Sequence, residues 1–276
     1  MGMRIATNVQ AIAANRHLSQ NTHNLNNSLE HLASGSRINK AGDDAAGLAI
    51  SEKLKASVRS LKQADRNAND GISLIQTAEG AMNEVSNMLI RMRELSIQAS
   101  SDSIGPRERT YVDKEVQQLK SEIERIAQST EYNGSKLLNG TAETLEFQVG
   151  MHNNPELDRL QYDAPNQVVT VGALGVEDLS TRDKESAQQN LEKIDVALDR
   201  LNENRADLGA IQNRLMSTSA NLQIYVENLS SANSRIRDTD LAQESSELTK
   251  HNILTQSNVA MLGQANSKPQ LAMQLL

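Results

Sequence analysis

Five histidines and the adjacent carboxylates Asp43 and Asp44 are the most conspicuous side chains here with the means for acid–base or metal chemistry. His17, His23, His31, His152 and His251 include no pair spaced i,i+4 and no helper glutamate at metal spacing, so they read as solvated or interface histidines. Asp43 and Asp44 follow Gly42. Neighbouring residues on a helix point in different directions, which makes a poor proton-transfer dyad. The same pair suits a helix N-terminus, where a carboxylate caps free N–H groups and meets the positive end of the dipole. No serine sits in a nucleophile elbow, and Gly140, Gly150, Gly172 and Gly175 form no phosphate cradle. The chain has no Cys, which removes disulfides, thiolate catalysis and Cys-based metal sites together. An enzyme is not expected, and neither is a metal or a cofactor.

The elements that would carry these residues are long helices. Between residues 194 and 236 an aliphatic side chain recurs every seven positions: Ile194, Leu201, Leu208, Leu215, Leu222, Leu229 and Ile236. Such a stripe stays on one side only if the helix supercoils along a partner of similar length. From Leu54 onward, Val58, Leu61, Ala64, Ala68, Ile72, Ile75, Ala78, Met82, Val85, Leu89, Met92 and Leu95 supply one, at steps of three and four. A helix over 184–238 would be on the order of 80 Å long. A break at Asp102-Ser103-Ile104-Gly105-Pro106 precedes a further helix with Val112, Val116, Leu119, Ile123 and Ile126 inward. The fold class expected is therefore mainly α: an elongated antiparallel bundle, a coiled-coil rod. With aromatic content of 2%, the core must be aliphatic.

Between residues 132 and 183 the pattern changes. Asn133-Gly134 and Asn139-Gly140 are turn dipeptides, and Thr144 to Val149, Leu157 to Tyr162 and Val168 to Val171 read as short strands. The expected division is 1–45 as an N-terminal tail, 46–131 as rod helices, 132–183 as a β-hairpin region, 184–240 as the returning rod helix and 241–276 as a C-terminal tail.

Both tails are apolar at helical spacing yet almost uncharged. Residues 1–33 carry only Arg4, Arg16 and Glu30, and residues 251–276 only Lys268. Ile5, Val9, Leu25, Leu29 and Leu32 mark one stripe; Ile253, Leu254, Met261 and Leu262 mark the other. An isolated helix with few ion pairs is marginal in water, because ordering costs about 1–2 kcal/mol per residue. Either the tails order when copies polymerise, which low charge permits, or each docks back on its own subunit. Net charge of −7 argues against nucleic-acid binding. No apolar run reaches the roughly 18 residues of a membrane span, so membrane insertion is not expected. Met1 to Leu18 lacks the apolar h-region of a signal peptide.

Two motifs give a resemblance. Leu32-Ala33-Ser34-Gly35-Ser36-Arg37-Ile38-Asn39-Lys40-Ala41-Gly42-Asp43-Asp44-Ala45-Ala46-Gly47-Leu48-Ala49-Ile50 is similar to the N-terminal signature of bacterial flagellins. Ser234-Arg235-Ile236-Arg237-Asp238-Thr239-Asp240-Leu241-Ala242-Gln243-Glu244, Asn252-Ile253-Leu254, Ala260-Met261-Leu262, Gln264-Ala265-Asn266, Pro269-Gln270 and the closing Leu275-Leu276 resemble the C-terminal one. Met1-Gly2 ahead of Met3 departs from the usual start. The resemblance implies a secreted subunit of the flagellar filament, exported unfolded by the flagellar type III apparatus. It also implies a helical homopolymer, terminal tails that order on polymerisation, an export chaperone on the C-terminal tail, and hook-associated and cap proteins as partners. The short middle implies that large outer domains are missing. Arg91-Met92-Arg93-Glu94-Leu95 and Lys114-Glu115-Val116 match the region recognised by the flagellin-sensing Toll-like receptor, which implies Arg91, Leu95 and Glu115 as contacts there or in subunit packing, with Arg91 and Glu115 able to pair. A hook–filament junction protein shares the terminal design, and a cytosolic helical adaptor is the alternative of another class.

Overall fold

The computed structural model describes residues 7–274, with side chains through residue 267; Met1-Gly2, Ile5 and Leu275-Leu276 lie outside the described residues. Its elements are helices α1 (Val9–Ser34), α2 (Ala45–Ser100) and α3 (Pro106–Ser129), strands β1 (Glu131–Tyr132), β2 (Ser135–Lys136) and β3 (Leu145–Gln148), helix α4 (Pro155–Asp158), strand β4 (Arg159–Tyr162), and helices α5 (Val171–Leu174), α6 (Lys184–Arg237) and α7 (Leu241–Gln274). Two compact units result: Val58–Glu227, and the described parts of Met1–Ser57 with Asn228–Leu276. The long helices α2 and α6 contribute to both.

In the unit Val58–Glu227, α2 and α6 run antiparallel. Asp195 on α6 meets Arg93 on α2 at 2.7 Å, while Ser219 donates to Asp65 at 2.5 Å. The heptad stripe is the reason. Ile194, Leu201, Leu208 and Leu215 are fully buried, against a stripe of α2 in which Leu61, Ala64, Ala68, Ile75, Ala78, Met82, Val85, Leu89, Met92 and Leu95 are buried. Val58 and Ile72 are half-buried. On α3, Val116 and Ile123 close the core, with Val112, Leu119 and Ile126 half-buried. The core is aliphatic because small and branched side chains let helices pack closely along their length.

Burial along the α6 seam fades toward its end. Leu222 is still buried, but Leu229 and Ile236 are half-buried. At that level α2 reads Glu52-Lys53-Leu54-Lys55-Ala56-Ser57 and offers one large apolar side chain.

The irregular stretch is tied down residue by residue. Asn133 and Gly134 both take positive φ (50° and 83°), the geometry of a two-residue hairpin turn, and join β1 to β2. Strands β3 and β4 pair antiparallel, with Phe147 opposite Leu160 and Leu145 opposite Tyr162. Tyr162 is fully buried; its hydroxyl donates to the Leu137 carbonyl at 2.9 Å, and burial pushes its pKa up. Gly71 permits the contact with α2: a Cβ there would lie 3.2 Å from both Phe147 Cδ1 and Leu215 Cδ1. Asp113 on α3 anchors the approach to α6, accepting from Thr181 N (2.9 Å), Arg182 Nε (2.9 Å) and Ser180 Oγ (3.1 Å). Burial alone would raise its pKa. The three donors outweigh that and hold the carboxyl below its ordinary value.

Two strand expectations are corrected. Val168 to Val171 forms no strand: Thr170 accepts from Ala173 N and caps α5, which Gly175 closes in the left-handed region (φ 74°). Buried Val169 and Val171 satisfy their hydrophobicity by packing, not by pairing. Leu157 belongs to α4, begun by Asn154, whose side chain accepts from Glu156 N, so the strand starts only at Arg159.

Candidate assembly surface

Helices α1 and α7 form an antiparallel pair that is turned inside out. Asn8 caps α1 by accepting from Ala11 N at 3.0 Å, and its amide donates to the Ala265 carbonyl of α7 at 2.8 Å. At the other end His31 lies 3.6 Å from Glu244, in the first turn of α7. Asp240 starts α7 by accepting from Ala242 N and Gln243 N. The covered side of α1 carries Ala11, Leu18, Leu25 and Leu32 with buried Ser28; that of α7 carries Leu248, His251, Thr255, Asn258, Leu262 and Ala265. Half of the α7 set is polar. Meanwhile Val9, Ile12, Leu29, Leu241, Ile253 (61% exposed), Leu254, Val259 and Met261 (63% exposed) face outward. Among the sequence candidates, Leu25, Leu32 and Leu262 therefore join the pair, whereas Val9, Leu29, Ile253, Leu254 and Met261 lie open. With no charged residue from 251 to 267, that open face is apolar and nearly neutral.

A clamp holds the base of this pair. Glycine at 35 takes φ 67° at the end of α1, and the chain then makes a bridge between Ser36 and Asp238. Arg37 N donates to the Arg237 carbonyl (2.6 Å), Thr239 N to the Gly35 carbonyl (3.0 Å), and the Arg37 guanidinium to the Ile236 carbonyl (2.9 Å). Arg237 also pairs with Glu52, whose carboxyl it holds below its ordinary pKa. The breaks between α1 and α2 and between α6 and α7 are thus stitched together. Of the Asp43-Asp44 pair, only Asp44 has the helix-capping role expected of both; Asp43 turns back to the loop ahead of α2. Asp43 accepts from Asn39 N and Lys40 N, bonds that lower its pKa, and Asp44 accepts from Gly47 N at 2.9 Å. Gly47 is required by close approach, since a Cβ would come within 2.8 Å of Ile38 Cδ1. Sequence reasoning missed the clamp. Its one trace is that Ser36-Arg37-Ile38 and Ser234-Arg235-Ile236-Arg237 are alike and lie where helices break.

In the other unit, Arg91 and Glu115 come together as expected. Arg91 Nε donates to Glu115 Oε1 at 2.9 Å and Nη1 to Glu94 Oε2 at 3.0 Å, bonds that raise its pKa. All three are exposed, and Lys114 lies over the Tyr111 ring at 5.9 Å. Leu95 is the correction: at 1% exposure it belongs to the core beneath these residues and offers no surface to a partner. It falls on the inward period of α2, where apolar packing outweighs any external contact.

Comparisons with known proteins agree at both ends of the chain. Residues 5–143 match the family model described as bacterial flagellin N-terminal helical region, and residues 191–276 the bacterial flagellin C-terminal helical region. The chain is 47% identical to a flagellin of Halalkalibacterium halodurans, covering 99% of this chain and 100% of that one. It is 41% identical to a flagellin of Bacillus subtilis and 41% to the flagellar filament 33 kDa core protein of Treponema phagedenis, each over 99% of this chain and 100% of the relative. Among solved structures, Bacillus cereus flagellin aligns with TM-score 0.51 and 31% identity over 57% of this chain and 88% of that one. A putative flagellar hook-associated protein from Vibrio parahaemolyticus shares the fold, with TM-score 0.59 at 13% identity over 71% of this chain and 100% of that one.

Proposed function

Because this chain belongs to the bacterial flagellin family and is a structural, non-enzymatic subunit of the extracellular flagellar filament, we propose that it enters that filament through the outward face of α1 and α7. The observation that carries this reading is the inverted pair itself: Ile253, Val259 and Met261 are exposed while Thr255 and Asn258 are covered. Apolar area left in water is worth about 25 cal/mol per Å² when another copy covers it. A nearly uncharged face also lets many copies approach without repulsion. Helices α1 and α7, together with Ile5, act as the polymerisation segments 1–45 and 241–276; the remaining segments, 46–131, 132–183 and 184–240, act as the body of the subunit. A non-closing, head-to-tail contact then propagates a helix, which the motor turns for swimming.

The same face explains the partners we assign. An apolar, uncharged C-terminal tail needs cover before assembly, which an export chaperone supplies, and export unfolded through the type III apparatus keeps it from premature association. Hook-associated and cap proteins contact the terminal copies of the polymer. The exposed Arg91, Glu94 and Glu115 cluster is the surface offered to the flagellin-sensing Toll-like receptor or to a neighbouring subunit.

Deleting residues 251–276 tests the central reading. Circular dichroism of the truncated protein retains the helical signal of the unit Val58–Glu227, and sedimentation finds no polymer; filaments formed by the truncated protein refute the assignment. For the receptor surface, Arg91→Ala with Glu115→Ala lowers signalling in a reporter-cell assay, and unchanged signalling removes that role.

A further inference from the structure

Two stripes of exposed charge on the unit Val58–Glu227 are left without ionic partners. On α2, Arg59, Lys62 and Arg66 follow at steps of three and four, which places them on one helix face. All three are exposed. Arg66 donates only to the neutral Gln63 side chain, and neither Arg59 nor Lys62 meets a carboxylate among the described residues. The intervening acid, Asp65, is turned to α6 and accepts from Ser219. On α6, Glu185, Glu192 and Asp199 recur every seven residues and Glu203 extends the same face. These four are exposed and form no ion pair among the described residues, while Asp195 is taken by Arg93 and Arg200 donates to the Ala173 carbonyl.

The spacings match. Arg59 to Arg66 and Glu192 to Asp199 are each seven residues, about 10 Å at about 1.5 Å per residue. In a polymer grown by one repeated head-to-tail contact all copies point the same way. Helix α2 of one copy then meets α6 of the next in the antiparallel sense, so Arg59 faces Asp199, Arg66 faces Glu192, and Lys62 lies between. Within one copy these stripes cannot meet, because the Asp65 to Ser219 contact fixes Arg66 near the level of residue 219. Bringing it to the level of Glu192 takes a displacement of roughly 40 Å along the helices.

We propose that Arg59 and Arg66 of one subunit, with Lys62 between them, dock on Asp199 and Glu192 in the acidic stripe of the next, and that this contact sets the longitudinal stagger between them. This rests on the chain's role as a filament subunit. The partner is a second copy of this chain, selected by opposite charge at equal spacing, with like-charge contacts disfavouring other registers.

The test is copolymerisation by charge exchange. One variant carries Arg59→Glu and Arg66→Glu; the other carries Glu192→Lys and Asp199→Lys. In low salt each alone needs about ten times the wild-type concentration to polymerise, taking two exposed pairs at their usual modest strength. An equimolar mixture returns to near the wild-type threshold, because each supplies the stripe the other lacks. The wild-type threshold itself rises with sodium chloride as screening shortens to a few Å. A threshold unchanged by reversal, a mixture no better than its components, or a wild-type threshold flat in salt overturns the proposal. Failure of the wild-type protein to polymerise at all overturns the filament role instead, so the two failures are distinct.

Discussion

Replacing Ile253 by alanine separates the strength of assembly from the stability of the subunit. Ile253 is 61% exposed on α7, so most of its apolar surface awaits burial. Complete burial of such a side chain is worth about 1.5–3 kcal/mol, and the uncovered share of it corresponds to about 1–2 kcal/mol per subunit on assembly. Truncation to alanine forfeits most of that, which converts to roughly a fivefold to thirtyfold rise in the threshold concentration for polymerisation. The subunit itself loses little, because alanine is the better helix former and the deleted atoms touched mainly water. The assay is sedimentation over a concentration series, beside circular dichroism of the unassembled protein and Ser257→Ala as an exposed polar control. A threshold within twofold of wild type, with the helical signal intact, refutes the claim that this face is the buried one.

Other substitutions act on the body of the subunit. Leu208→Ala empties a fully buried position of the α6 seam and costs about 2–5 kcal/mol in urea unfolding; a loss below about 1 kcal/mol contradicts the core described for the unit Val58–Glu227. Gly71→Val forces methyl groups toward Phe147 and Leu215 and destabilises by about 1–3 kcal/mol in the same assay, whereas an unchanged midpoint shows that the hairpin is free to give way. Asp113→Ala costs about 1–3 kcal/mol at neutral pH by leaving Thr181 N–H and Ser180 without their acceptor. Since the folded-state pKa of Asp113 is lowered, its contribution is complete above the unfolded value near 3.8 and is lost as pH falls through the folded one. The gap between wild type and variant therefore narrows in acid, and a gap constant from pH 7 to pH 2 contradicts the ionic anchor.

Legibility followed the contrast between faces. The seam from Ile194 to Leu222 could be read because Ile194, Leu201 and Leu222 are flanked on both sides by charged or polar residues, and Leu208 and Leu215 on one, so the seven-residue period stands out. Its partner stripe on α2, the helix break at Pro106, the Asn133-Gly134 turn and the Asp44 cap were equally legible, being set by local chemistry. On α7 that contrast is missing: Leu248 and Leu262 lie on one face and Ile253, Val259 and Met261 on the other, with neutral polar residues between. Periodicity names the helix there but not its inward side. Leu95 was misassigned to a surface because a motif gathers neighbours in sequence, while on a helix Arg91 and Leu95 are close but one is exposed and the other enclosed. The Arg37 to Arg237 clamp joins residues two hundred positions apart through backbone groups, which leave no composition signal.

The absence of cysteine gives the central claim a direct measurement. Single cysteines placed at Met261, on the open face of α7, and at Leu157, which is exposed in the other unit, report solvent access through their rate of maleimide labelling before and after polymerisation. The account predicts that the thiol at position 261 reacts readily in the unassembled protein and becomes strongly protected in filaments, while the one at position 157 retains its rate. Equal reactivity at position 261 in both states would contradict it.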